Sequence, residues 1–242
     1  MKGKIDPVTE GAPGVETPEQ IYHTTLTVID YHEDNSGSTQ TVWVLGTHST
    51  LEAAKAFTRT ALQTLGYAPE DFAAYEVKPA GADETWPHGD GVLVYAKAFA
   101  GQVFLVGLQT SPNNDQLLAD GKGGVVLPDG VDRLHYVLQT TVDYNQDRTG
   151  AAQSTEVEGC YAHRSAALEA ARAALVGGDD DVKRSDFAQY DERDEPDMSG
   201  EWPFGEDVVV HAVAQSGENY TVAIRTVPGA HQKHHKKEQQ KH

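Results

Sequence analysis

Asp71-Phe72-Ala73-Ala74-Tyr75 returns 115 residues later as Asp186-Phe187-Ala188-Gln189-Tyr190. Other matches run in the same order. Asp30-Tyr31 is answered by Asp143-Tyr144 and Gly37 by Gly150, 113 residues on. Trp86-Pro87 and Gly89 are answered by Trp202-Pro203 and Gly205, 116 on, and Gly101, Phe104, Val106 and Pro112 by Gly217, Tyr220, Val222 and Pro228 at the same distance. The offset drifts by only three residues, as small loop insertions would make it do. A segment from about Glu16 to Pro112 is thus repeated, much diverged, from about Asp129 to Pro228. The period is far longer than a solenoid unit and suits two homologous small domains.

Working outward, each copy reads as two strands, a helix and two strands. Ile21 to Tyr31 is rich in β-formers, Asp34-Asn35-Ser36-Gly37 is a turn, and Gln40 to Thr47 alternates, which makes a hairpin. Ser49-Thr50-Leu51-Glu52 has the form of a capping box. Leu51, Ala54, Ala61, Leu62 and Leu65 then recur at helical spacing, and Gly66 suits a C′ terminator. The Asp-Phe-Ala-x-Tyr element falls in a stretch without period-two alternation and reads as irregular, with Phe and Tyr pinning a loop. Val92 to Ala98 and Gln102 to Gln109 close the unit as a second hairpin. The second copy repeats the pattern, with a helix over Ala166 to Leu175 stopped at Gly177-Gly178.

The expected fold is α+β: two tandem ββαββ modules, each a four-stranded antiparallel sheet with one helix, related by internal duplication and a pseudo-two-fold axis. The expected boundaries are a leader at 1–18, a first module at 19–112, a linker at 113–132, a second module at 133–229 and a His/Lys-rich tail at 230–242. Val125-Val126-Leu127 in the linker suits a short edge strand.

The chain carries −18 net charge, and its last thirteen residues contribute +3, which leaves −21 on residues 1–229. A body that acidic repels a phosphate backbone, so no nucleic-acid partner is expected. Mean hydropathy is −0.51 and no apolar run has the length of a membrane span, so no membrane partner is expected either. One cysteine excludes an internal disulfide framework, and Met1 to Pro7 has no apolar signal-peptide segment; both point to a cytoplasmic, reducing location.

Residues kept by both copies are expected to serve the fold, and unshared ones are where a specialised site would lie. Trp-Pro-x-Gly, at Trp86 and Trp202, therefore reads as a plug under a tight turn. No two histidines have metal-ligand spacing on one element, the acidic run Asp191 to Asp197 lacks the calcium-loop pattern, and there is no Gly-x-Ser-x-Gly elbow. Cys160, matched by Thr47, reads as a packing residue. No motif implies a cofactor. A ligand pocket at one end of the first module would be marked by Trp43, His48, Trp86, His88 and Asp90. His231, His234 and His235 in the tail are of the type that picks up transition metals adventitiously. The expectation is a non-enzymatic binding or interaction protein. The alternatives are an enzyme or small-ligand protein with its pocket between the modules, and a homodimer or larger assembly built through sheet edges.

Overall fold

The computed structural model describes residues 16–79, 81, 86–177, 181–193 and 202–227. The tail histidines His231, His234 and His235 lie outside the described residues, as do most of the leader and the centre of the acidic run. The first half of the chain forms β1 (Gln20–Asp30), β2 (Gln40–His48), α1 (Leu51–Thr64), β3 (Phe72–Val77), β4 (Val92–Ala98) and β5 (Gln102–Pro112). A two-residue hairpin follows, β6 (Leu118–Ala119) with β7 (Val125–Val126). The second half forms β8 (His135–Asp143), β9 (Gln153–Tyr161), α2 (Arg164–Ala173), β10 (Phe187–Glu192), β11 (Val208–Ala214) and β12 (Glu218–Arg225).

Each half is one antiparallel sheet, ordered β2-β1-β5-β4-β3 in the first and β9-β8-β12-β11-β10 in the second. The two orders are the same under the repeat, which is consistent with a two-module duplication. Each sheet has five strands and not the expected four. The additional strand is the Asp-Phe-Ala-x-Tyr element itself, which forms β3 and β10. The cause of the misreading is a β-bulge. Register shifts between Phe72 and Ala74, and between Phe187 and Gln189, so the inward-facing Phe and Tyr stand three residues apart instead of two. The Asp before each strand closes a 3-10 turn: Asp71 Oδ2 accepts the Ala68 N–H at 2.7 Å and Asp186 Oδ2 accepts the Lys183 N–H at 2.8 Å.

Local signals place the first helix as expected, with one change of atom. Thr50 is the N-cap, accepting the Ala53 N–H at 3.3 Å, while the Ser49 hydroxyl is buried without a partner. At the other end Gly66, at φ +95, lets the Tyr67 N–H reach Leu62 O at 3.0 Å and its own N–H reach Gln63 O at 2.9 Å, a Schellman termination.

Strand alternation divides the core into three. On β1, Leu26 and Val28 face α1 and pack with Leu45, Ala61, Leu62, Phe72, Val94 and Val106. Val137, Val210, Val222 and Ile224 pack with Ala167, Leu168 and Ala171 of α2 in the same manner. The third cluster belongs to both halves: Ile21 and Val44 meet Leu134, Tyr136, Leu138, Val157 and Cys160, with Leu117 from the connecting segment. The two sheets therefore meet through the faces that their helices leave bare, giving the layers helix, sheet, sheet, helix.

Phe72, 7 % exposed, stacks its ring among Tyr67, Tyr75 and Phe104 at centroid distances of 5.6, 5.7 and 5.4 Å. Phe72→Ala is expected to lower stability by about 3–5 kcal/mol, the usual cost of emptying a buried aromatic site. Asp71→Ala, which removes only a turn cap, is expected to cost about 1 kcal/mol. Guanidinium unfolding midpoints check both; equal costs would mean that β3 is held by its turn and not by its packing.

Candidate functional site

The seam between the sheets is where unshared residues collect, and its centre is a buried polar line. The first-half members are His23, Thr47 and Ser111; their counterparts in the repeat are Tyr136, Cys160 and Val227. His23 is fully buried. Its Nδ1 lies 3.0 Å from Thr47 Oγ1 and its Nε2 lies 2.8 Å from Ser111 Oγ. Thr47 Oγ1 lies 3.0 Å from Tyr136 Oη across the seam, and the Ser111 hydroxyl donates to Pro112 O at 3.3 Å. One set of protons satisfies every group: Tyr136 donates to Thr47, Thr47 to His23 Nδ1, His23 Nε2–H to Ser111, and Ser111 to the carbonyl. That chain requires a neutral imidazole. Burial, with His48 as a smaller influence, accordingly lowers the His23 pKa to about 4. Cys160 is sealed in the same layer, and burial pushes its thiol up to about 12, so it packs and does not act as a nucleophile.

The sequence-marked residues do not converge. His48 ends β2 on the α1 side, with its ring 5.1 Å from Phe57 and its Nε2 buried without a hydrogen bond. His88 stacks on Tyr95 at 3.9 Å, takes the edge of Trp86 at 4.7 Å and bonds Glu76 Oε2 at 2.9 Å. Because β2 and β3 are opposite edges of one sheet, the two histidines are separated by roughly 14–19 Å of strand spacings and sit on opposite faces. Asp90 is exposed in the turn leading to β4.

Both histidines have spatial equivalents in the second half. There, Phe204 stacks on His211 at 3.8 Å, Trp202 meets Phe204 at 5.0 Å, and His211 Nδ1 lies 3.3 Å from Asp191. The imidazole and its stacking ring have exchanged places between turn and strand, and the imidazole still faces the acid of the edge strand. A similar exchange occurs at the cross-strand pair Tyr22–His48, whose counterpart is His135–Tyr161. These histidines differ in sequence position yet are shared in space. In the copy-against-copy comparison they therefore count as shared and not as unshared residues.

What differs most between the halves is the pair of pockets at the ends of the seam. The edge strand of each sheet is held there by a side chain of the other. Gln109 donates to Thr155 O at 2.7 Å and accepts the Val157 N–H at 2.7 Å; its counterpart Arg225 donates to Val42 O at 2.5 Å. Gln153 reaches Ser38 O at 2.7 Å, and its counterpart Gln40 reaches Ala151 O at 3.3 Å. Beside Gln109 is an open groove of about 550 Å³ that includes Glu156 and Glu158. Beside Arg225 is a pocket of about 450 Å³ lined by Trp43, Arg133, His135, Arg164, Asp207 and Arg225. Trp43 is the one sequence-marked residue there. The others were missed because they come from the lead-in to β8, the start of α2 and the strands β8 and β12, with no local motif.

This pocket is electropositive. Arg133 pairs with Asp132 at 2.7 Å and Arg225 Nε lies a loose 3.7 Å from Asp207. Arg164 has no ion pair among the described residues. Burial lowers the pKa of His135, and the Arg164 and Arg133 guanidiniums lower it further. No group of three or more metal-ligating side chains occurs among the described residues.

The buried line sets a pH dependence. His23 binds its proton near pH 4 when folded and near 6.5 when unfolded, so the unfolded chain binds more protons between those values and stability falls as pH drops through them. The loss from this group is expected to reach about 3 kcal/mol near pH 4 and to be absent above pH 7. Urea midpoints from pH 7.5 to 4 in the wild type and His23→Gln measure it; an unchanged slope in the variant would show that other groups carry the acid loss. No protein-family model, curated protein or solved structure matches this chain, and its function is read from the seam itself.

Proposed function

We propose that this is a non-enzymatic binding protein in which two ββαβββ modules, related by duplication and a pseudo-two-fold axis, hold a small ligand in the seam pocket beside Trp43. The carrying observation is the divergence of the two end pockets. The fold needs both seam ends to be closed, and Gln109 and Arg225 do that in parallel. It does not need Trp43 where the other end has Glu156, or Arg164 where the first helix starts with Leu51. A difference confined to one pocket supports specialisation there. The size of the pocket, about 450 Å³, is within the range of small-molecule sites.

Binding rather than turnover is supported by what surrounds the pocket. The thiol is sealed away, and two of the three guanidiniums already face a carboxylate. Reciprocal hydrogen bonds of Gln40 and Gln153 support the pseudo-two-fold relation.

A thermal-shift panel of small acids, bases and neutral compounds tests the reading. A ligand at a hundred times its Kd adds about 2.7 kcal/mol, which raises Tm by roughly 5–10 °C for a chain of this size. At least one chemical class is expected to do so in the wild type and to fail in Trp43→Ala, each compared with its own ligand-free Tm. If no class raises Tm, or the rise survives in the variant, the seam pocket is not a ligand site.

A further inference from the structure

We propose that the ligand of the seam pocket is a small oxyanion, a carboxylate or phosphate carried on a flat apolar body; this rests on the binding reading above. Four features of the pocket, which share its arginines, point the same way. First, three of the eight arginines of the chain line it, in a protein whose net charge is −18, so the cluster is not a consequence of composition. Guanidinium is the side chain best matched to the paired oxygens of carboxylate and phosphate.

Second, the donor capacity is not used up. His135 Nδ1 is buried without a hydrogen bond, and Arg225 Nε, also without one, has only the loose 3.7 Å contact with Asp207. Buried polar nitrogens left unpartnered are costly and uncommon, and a bound oxygen would relieve the cost. Arg164 is exposed and has no ion pair among the described residues.

Third, Arg164 is the first residue of α2, and that helix carries no cap or acid of its own. Its N-cap His163 makes no side-chain cap bond, and its first turn has no acid. The first helix, by contrast, has the Thr50 cap and Glu52. Asp115 Oδ2 accepts the Ala162 N–H at 2.6 Å just before the N-cap, so one carboxylate already lies near that end; α2 itself supplies none in its first turn, beside a pocket lined by arginine.

Fourth, the other half lacks all of it. The counterparts of Arg133, Arg164 and Arg225 are Gln20, Leu51 and Gln109, and that of Trp43 is Glu156. Three guanidiniums and one aromatic wall have been gathered at one end of the seam, while Glu156 and Glu158 stand at the other. Trp43 supplies the apolar surface on which the body of the ligand would lie.

Calorimetric titration with phenyl phosphate, benzoate and the neutral benzamide tests this on the whole protein. One or both anions are expected to bind, with benzamide at least ten-fold weaker, and a rise from 20 to 300 mM salt is expected to weaken the anions alone. Binding of phenyl phosphate without benzoate identifies a phosphate ligand, and the reverse a carboxylate. Arg164→Leu removes an exposed, unpaired side chain, and Arg225→Gln keeps the edge-strand hydrogen bond in the way Gln109 does. Each is expected to weaken the anion at least ten-fold with Tm within a few degrees of the wild type. The proposal is overturned if neither anion binds, if both variants bind as the wild type does, or if benzamide binds as tightly as the anions. In the last case a Trp43-dependent thermal shift by a neutral compound would leave the binding reading standing without the oxyanion.

Discussion

Everything in this molecule depends on covering the sheet face that each helix leaves bare. A single helix of ten to fourteen residues shields one side of five strands and nothing of the other. Alone, either half would present Ile21 and Val44, or Leu134, Tyr136 and Leu138, to water. Putting the two bare faces together buries all of them at once, and it also dictates what else can be there. His23 can be fully buried only because Thr47, Ser111 and Tyr136 complete its hydrogen bonds, and Tyr136 comes from the other half. The seam is consequently both the shared core and the place where the two copies were free to become different.

Much of the fold was legible in the sequence because it is written in local signals. The hairpins follow from turn residues between alternating strands, and α1 from the spacing of Leu51, Ala54, Ala61 and Leu62 before Gly66. The duplication was legible from the ordered matches. The fifth strand was not, because its bulge sets Phe72 and Tyr75 three residues apart and thereby conceals a strand inside what reads as loop. Packing of the sheets through their bare faces was not legible either, since alternation tells which residues are inward and not what they meet.

The histidines teach a different lesson. Counted by position, His48 and His88 are unique to the first half, and that made them candidates. In three dimensions each takes part in a pair whose other member is an aromatic ring, and in the second half the members have traded places. A change of position that conserves the pair leaves the local packing alike, so it does not set the first half apart from the second. The basic pocket is the opposite case. Its residues lie at positions 43, 133, 135, 164 and 225, none of them notable alone, and only the seam brings them together.

The way the seam ends are closed also bears on the outer strands of the two sheets. Two sheets have four outer strands, each with a row of backbone groups that could recruit a neighbouring molecule. Gln109 and Arg225 occupy two of those rows, β9 and β2, with side chains in place of a further strand. The remaining rows belong to β3 and β10, which are short, bulged and flanked by charge at Glu76, Lys78, Asp191, Glu192 and Arg193. Among the described residues the outer strands are thus interrupted in two ways, β2 and β9 by a side chain from the other half, and β3 and β10 by a bulge with charge beside it.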